Sequence, residues 1–251
     1  MLDRRQLLSN AALGSVFGGT DLAQISGAGS PRNMDVSSPP IFDVRTFGAT
    51  GDGKTTDSSA INQAIDAAAS RGGGTVYFPA GTYSCFALRL RSFVCLYFDQ
   101  GATILAAATP LEGSATGCYD AAEPQAVWEP YQDYGHNHWH NSLLWGEGIH
   151  DFSIMGPGLI WGKGLSRGHS DDEDLPDTTK PGVGNKAIAL KNCHNVILRD
   201  FSILQGGWFG ILATGVDNLT INNLKIDTNR DGMESSRPNE RRSIRNLRCS
   251  A

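Results

Sequence analysis

The sequence predicts an all-β chain wound as a stacked solenoid, with one helical segment near its start. Three observations carry this. Between Asn192 and Asp231, the apolar residues Val196, Leu198, Phe201 and Ile203 recur at Leu219, Ile221, Leu224 and Ile226, a constant shift of 23 residues. Within each copy, two two-step apolar alternations flank a polar dipeptide, Arg199-Asp200 or Asn222-Asn223. That is strand, kink, strand with one buried face, and copies at a fixed period in this range mark stacked coils. Finally, the 251 residues include 30 glycines, above the usual share of about 7%, as a chain with many tight corners requires.

The first residues are read as a targeting segment. Arg4-Arg5 precedes a weakly apolar stretch ending near Phe17 and a Gly/Ser/Ala run to Ser30. A paired arginine in this setting resembles a twin-arginine export signal, which implies a periplasmic or secreted bacterial protein. The competing reading is a disordered basic start. Residues 1–30 are therefore set apart from a single solenoid domain spanning 41–251.

Ile41 to Phe47 alternates as a strand. Ala60, Ile61, Ala64, Ile65 and Ala68 have helical spacing, with Thr56, Asp57 or Ser58 as a cap and Arg71-Gly-Gly-Gly74 as the stop. Gly48 to Thr55 matches the phosphate-loop pattern G-x-x-x-x-G-K-[ST] and lies between strand and helix. No later strand ends in a magnesium-binding Asp, and the downstream segments repeat as a solenoid. The loop is therefore read as a Gly/Asp-rich turn capping the helix. Further strands are expected at Thr75–Phe78, Ala87–Leu90, Val94–Phe98 and Thr103–Leu105, with a turn at Pro79–Thr82.

From Ala106 to Asn141 the periodicity fails. This long span holds Trp128, Tyr131, Tyr134 and Trp139, and long loops on a rigid scaffold are where specificity concentrates. Its aromatic rings suit sugar faces, or simply pack the loop down. His136, His138 and His140 alternate, so on a strand they would share one face. Without an acidic or thiolate partner, cleft-wall hydrogen bonding or packing is favoured over metal. The repeat resumes at Leu144. Phe152 and Ile154 precede Val196 and Leu198 by 44 residues, read as two coils of 22. Asp171 to Asp174 lacks the spacing of a calcium loop and reads as a solvated acidic turn.

Composition limits the remaining options. A net charge of −5 argues against a nucleic-acid surface, and no apolar run is long enough to span a membrane. Five cysteines, an odd number without C-x-x-C spacing, form neither a zinc site nor a disulfide framework. Cys85 and Cys95 could pair with each other, but they are read as buried thiols on inward positions.

Phe42 to Asp57, the helix after it, and Gly73-Gly-Thr-Val-Tyr-Phe-Pro-Ala-Gly-Thr-Tyr83 resemble the N-terminal cap of right-handed parallel β-helix enzymes of the pectate-lyase-like superfamily. Leu144 to Gly164 resembles the polygalacturonase group of glycoside hydrolases within it, as does Asn229-Arg-Asp-Gly-Met-Glu234, which matches that group's N-T-D-G-x-D with Arg230 and Glu234 as departures. The resemblance implies a right-handed parallel β-helix with an N-terminal capping helix. It also implies hydrolysis of α-galacturonosyl or related bonds in pectic polysaccharide or oligogalacturonide, without metal or other cofactor, by a monomer. Asp231 maps onto a catalytic aspartate and Asn229 onto a residue that orients it and contacts substrate. Trp208, one coil earlier, becomes a candidate cleft-floor contact, and His138 a further substrate contact.

The chemistry of that group gives the expectation a physical form. An inverting glycosidase needs a carboxylic acid and a carboxylate roughly 6.5–9.5 Å apart, and coils stacked about 4.8 Å apart can supply them from neighbouring turns. One period after Asp231 is position 254, past Ala251, and the D-D, G-H-G and R-I-K motifs that come next in the group do not occur after Asp231. Residues 235–251, with Arg237, Arg241, Arg242, Arg245 and Arg248, form an atypical tail, in which Ile244, Leu247 and Cys249 but not Arg242 keep the period and so admit a degraded last coil. The expectation is a solenoid incomplete at its C-terminus, a truncation or frameshift, with little or no hydrolase activity in this chain. A non-catalytic carbohydrate-binding or adhesion β-helix and a pectate-lyase-type β-eliminase are the alternatives.

Overall fold

The computed structural model describes residues 39–108, 118–124, 127, 133–167 and 178–227. Every strand ladder among them is parallel. One sheet stacks β1 (Ile41–Asp43), β3 (Gly74–Phe78), β6 (Val94–Phe98), β9 (His150–Met155), β12 (His194–Arg199) and β15 (Asp217–Asn222). A second stacks β2 (Asp52–Thr56), β4 (Gly81–Cys85), β7 (Ala102–Ala106), β10 (Leu159–Trp161), β13 (Ser202–Leu204) and β16 (Lys225–Asp227). A third holds β5 (Leu88–Arg89), β8 (Leu144–Glu147), β11 (Lys186–Lys191) and β14 (Phe209–Thr214). From β3 onward, successive strands visit the three sheets in turn, which is the coil of a parallel β-helix.

The core is three columns of apolar side chains, one per sheet. Val76, Leu96, Ile154, Leu198 and Ile221 are in register along the first. Tyr83, Ile104, Ile160 and Ile203 stack along the second, with Ile226 continuing the register but exposed, and Leu88, Leu144, Ile188 and Ile211 along the third. Strand alternation sends every second residue inward, and burying one such side chain contributes roughly 1.5–3 kcal/mol. The 23-residue period is thus the coil itself, since Val196 pairs Leu219 and Ile203 pairs Ile226.

The 44-residue spacing has a different meaning from the one the sequence suggested. Phe152 and Ile154 pair directly with Val196 and Leu198, so they lie one coil apart rather than two. The extra length is an excursion between β10 and β11. A longer one separates β7 from β8, where Ile104 and Ile160 still pair in register. Both leave the coil at the same corner, between the second and third sheets.

The corners explain the polar dipeptides. Asp200 (φ 69°) and Asn223 (φ 52°) adopt the left-handed conformation that short polar side chains tolerate best after glycine. The Asn223 amide donates to Asp200 Oδ1 at 2.9 Å. At the entry to the first sheet, Asp151, Asn195 and Asn218 do the same on three coils, linked by Asn195 Nδ2 to Asp151 Oδ1 and Asn218 Nδ2 to Asn195 Oδ1, both 2.9 Å. Gly156 permits a closer approach, because a Cβ there would lie 2.2 Å from the Phe98 carbonyl oxygen.

Helix α1 (Ser58–Ser70) closes the N-terminal end, burying Ile61, Ala64, Ile65 and Ala68 against the first coils. Asp57 is its N-cap residue but makes no side-chain capping bond, and Gly72 (φ 85°) and Gly73 (φ 124°) come directly after the helix end. The strand expected over Ile41–Phe47 stops at Asp43, because Val44–Phe47 forms a 3-10 turn capped by the Asp43 carboxylate, which accepts the Arg45 N–H. The stretch read as a turn at Pro79–Thr82 passes into β4 at Gly81. Cys85 is buried as expected, whereas Cys95 points outward between buried Val94 and Leu96 and is only half-buried. No described helix is long and apolar enough to cross a membrane.

Candidate functional site

The outer face of the third sheet carries the densest set of chemically capable side chains. Leu144 and Ile188 point inward, so alternation turns Trp145 and Glu147 of β8 and Lys191 of β11 outward. The chain returning from the first excursion covers them. Arg89 grips Asp120 through Nε and Nη2 at 2.8 and 2.6 Å, and Trp145 Nε1 donates to the same carboxylate at 2.9 Å. The His140 ring packs 4.0 Å from the Trp145 ring, and its Nε2 lies 2.8 Å from Glu147 Oε2. Lys191 Nζ approaches Glu147 Oε1 at 3.0 Å and sits 4.6 Å over the Trp139 ring.

These contacts set the protonation of the acids. Burial pushes Glu147 up, but hydrogen bonds from Lys191 and His140 outweigh it and hold the carboxyl below its ordinary range. Burial likewise opposes ionisation of Asp120, and Arg89 and Trp145 overcome it. Both are ionised at neutral pH, so among the described residues this face offers fixed carboxylates and aromatic surface rather than a general acid. Glu123, His140 and Glu147 have donor atoms within 4.8 Å of one another. Lys191 occupies one oxygen of Glu147, and Glu123 accepts the Trp139 N–H at 2.9 Å, so this set is committed to holding the loop down.

The three alternating histidines do not share a face. Tyr134–Asn137 forms a helical turn, α2, capped by the Asp133 carboxylate, and the turn sends the rings apart. His136 contacts Asp133 and packs on Phe209 at 4.6 Å. His140 joins Glu147. His138, expected at a cleft wall, is 4% exposed; its ring stacks on Tyr134 at 4.0 Å, with Nδ1 3.0 Å from the Tyr134 carbonyl. Burial gives His138 a packing position rather than a place on a surface.

Beneath this turn lies a residue that sequence reasoning did not single out. Lys186 opens β11 fully buried, and its Nζ donates to the His138 carbonyl and to Asn185 Oδ1, at 2.7 Å for the latter. Burial lowers its pKa to about 7, partly opposed by Glu123 and Asp133. Asn185 Nδ2, Asn141 Oδ1 and Ser142 Oγ nearby are buried without a hydrogen-bond partner. Trp208 begins the next coil beside them, its N–H donating to the Asn185 carbonyl at 2.9 Å and its ring stacked with Phe209. Trp208 is half-buried, against Gly135, where a Cβ would come within 2.9 Å of the indole. Asp231, Asn229 and the acidic run Asp171 to Asp174 lie outside the described residues. The Glu147–Lys191 pair was findable, since the two are one coil apart, but only once 44 residues is read as a single coil.

The phosphate-loop match is already filled by the protein's own carboxylates. Asp57, 1% exposed, accepts Thr50 N at 2.7 Å and Gly51 N at 3.1 Å. Asp52 accepts Lys54 N and Thr55 N at 2.8 and 2.7 Å, and those backbone bonds from Thr55 and Lys54 hold its pKa at about 2. The donors that would cradle a phosphate are engaged by anions.

Comparison with known proteins agrees with the coil. Residues 41–102 match the family described as rhamnogalacturonase A/epimerase, pectate lyase-like. The described residues form a right-handed parallel β-helix, and the first coils of that helix are what resembles this family. The chain is 26% identical over 231 residues to the exo-poly-α-D-galacturonosidase of Dickeya chrysanthemi, a match covering 86% of this chain and 36% of that one. It is 39% identical over 192 residues to the plasmin and fibronectin-binding protein A of Streptococcus pneumoniae, covering 73% and 23%. Among solved structures, the family 28 exopolygalacturonase of Yersinia enterocolitica is similar with a TM-score of 0.57 and 25% identity, over 76% of this chain and 39% of that one. The chain thus spans about a third or less of the curated relatives it matches.

Proposed function

We propose that this chain carries the first part of a polygalacturonase-like active site, acting outside the cytoplasm on α-galacturonosyl or related bonds of pectic polysaccharide. The observation that supports this is the likeness to the exo-poly-α-D-galacturonosidase over 86% of the chain, taken with Asn229-Arg-Asp-Gly-Met-Glu234 one coil period after Trp208. In this reading Asp231 follows Trp208 by one 23-residue period, as Trp208 follows Asn185. It supplies one carboxylate of an inverting acid/base pair, Asn229 orients it and contacts substrate, and the half-buried Trp208 supports the sugar ring beside the cleft. Asp120 and Glu147, ionised and paired, hold the aromatic wall rather than donate a proton. The protein acts as a monomer.

The 251-residue chain carries one of the two carboxylate motifs that this mechanism uses. It is therefore expected to bind oligogalacturonide but to cleave it weakly or not at all. Calorimetric titration with oligogalacturonide, paired with a reducing-sugar assay on polygalacturonate, tests this. Absence of binding sinks the substrate assignment. Robust hydrolysis abolished by Asp231→Asn would confirm the residue and overturn the expected low activity. Unsaturated, ultraviolet-absorbing product would move the chemistry to β-elimination.

A second reading rests on the 39% identity to the plasmin and fibronectin-binding protein A. It is a binding β-helix without chemistry. Ligand binding indifferent to Asp231→Asn, with no product of either kind, favours it.

A further inference from the structure

We propose that His150, Asp151 and His194 form a transition-metal site at the corner where the coil enters the first sheet. His150 opens β9 and His194 opens β12, and the two are paired in register on adjacent coils. Their rings lie 4.8 Å apart, nearly parallel at 11°. The Asp151 carboxylate reaches His150 Nδ1 at 2.7 Å through Oδ2. One donor atom from each residue falls within 4.8 Å of the other two.

The corner fixes two of the three ligands. Asp151 has φ 52°, which turns its carboxylate back beside its own neighbour's ring, and Asn195 Nδ2 holds Oδ1 at 2.9 Å, leaving Oδ2 toward the histidines. The Phe93 ring packs edge-on against His150 at 4.9 Å, and Ser92 Oγ accepts the His150 N–H at 3.0 Å. Among the described residues, no lysine or arginine pairs with any of the three, in contrast to Glu147. Asp217, in register after His194 on the next coil, adds negative charge on the same side.

The donor set names the class of ion. Two imidazole nitrogens and one carboxylate oxygen suit zinc, cobalt, nickel or copper, whereas magnesium and calcium prefer oxygen-only shells. Metal–ligand bonds near 2.0–2.2 Å put tetrahedral donors roughly 3.4 Å apart. Donors within 4.8 Å of one another must therefore close by up to about 1.4 Å, a movement that two partly exposed rings make by side-chain rotation. Three protein ligands leave the remaining position to water. Because the histidines lie on successive coils, a bound ion ties β9 to β12 across the corner.

Titration of the full 251-residue chain with cobalt(II), read by its d–d absorption, and with zinc, read by calorimetry, tests the site. The expected result is one saturable equivalent and a melting temperature that rises with zinc. His150→Asn and His194→Asn should each weaken binding by more than about ten-fold, and Asn195→Gly, which keeps the left-handed corner but removes the amide, by about ten-fold. His140→Asn should leave binding unchanged, and the His150→Asn, His194→Asn and Asn195→Gly variants should melt normally without metal. Absence of saturable binding, binding that survives in the His150→Asn/His194→Asn double variant, or loss in His140→Asn would overturn the assignment.

Discussion

Lys191 Nζ lies 3.0 Å from Glu147 Oε1, although 44 residues separate them in sequence, because one coil of the helix is all that intervenes. Lys191 and His140 depress the Glu147 pKa against the opposing effect of burial. A depressed acid contributes stability that is present above its unfolded value near 4.5 and is lost as pH falls through the lower folded value. The side chain is about a third exposed, so Glu147→Gln should cost under about 1 kcal/mol at neutral pH. Urea denaturation of wild type and variant should converge on acidification below pH 4.5.

Lys186 titrates with the opposite sign. Its folded pKa is near 7 against an ordinary 10.5, so between those values the unfolded chain binds more protons than the folded one. The contribution of Lys186 to stability therefore rises as pH increases from 7 to 10.5. Lys186→Met removes this dependence. Chemical denaturation of both proteins across that interval should show the wild type gaining relative to the variant, and parallel curves would contradict a buried, deprotonatable amine.

The segment from Gly48 to Asp57 separates two predictions. Lys54→Ala should change stability by less than about 0.5 kcal/mol, and nucleoside triphosphate should not shift the melting temperature of either protein. Asp57→Ala leaves the N–H groups of Thr50 and Gly51 without their acceptor and should cost about 2–3 kcal/mol. Thermal unfolding of the two variants side by side distinguishes an internal carboxylate clasp from a phosphate site.

The asparagine corners should respond to backbone conformation more than to side-chain size. Asn218 has φ 53°, where an alanine costs roughly 1–2 kcal/mol. Asn218→Ala should therefore destabilise by about 1 kcal/mol, with Asn218→Gly closer to wild type. Gly156→Ala should be worse than either. Its φ is 104° and the new Cβ meets the Phe98 carbonyl at 2.2 Å, so a loss of about 3 kcal/mol is expected in denaturant melts.

Sequence made the repeating parts legible where side-chain alternation and register coincide. Val196 to Ile203 and Leu219 to Ile226 revealed the coil because nothing interrupts them. The same arithmetic failed for Phe152 and Val196, since an excursion adds residues without adding a turn, and counting cannot tell the two apart. The polar dipeptides were visible as kinks, but their left-handed backbone and inter-coil amide bonds were not. The candidate site was harder still. His136, His138 and His140 looked like one face until α2 turned them in three directions. Lys186 carried no motif, and only its burial beneath His138 makes it noticeable. Asp231 was identified by motif alone.

The shared corner from which both excursions depart has an evolutionary consequence. Variation in length after β7 or β10 leaves every rung of the three columns aligned, as the pairing of Ile104 with Ile160 and of Ile160 with Ile203 demonstrates. One residue inserted inside β9 would instead turn Phe152 and Ile154 out to solvent. Selection for a new ligand can therefore act on the excursions almost independently of selection for folding, and segment grafts at this corner should be tolerated where point insertions a few residues away are not.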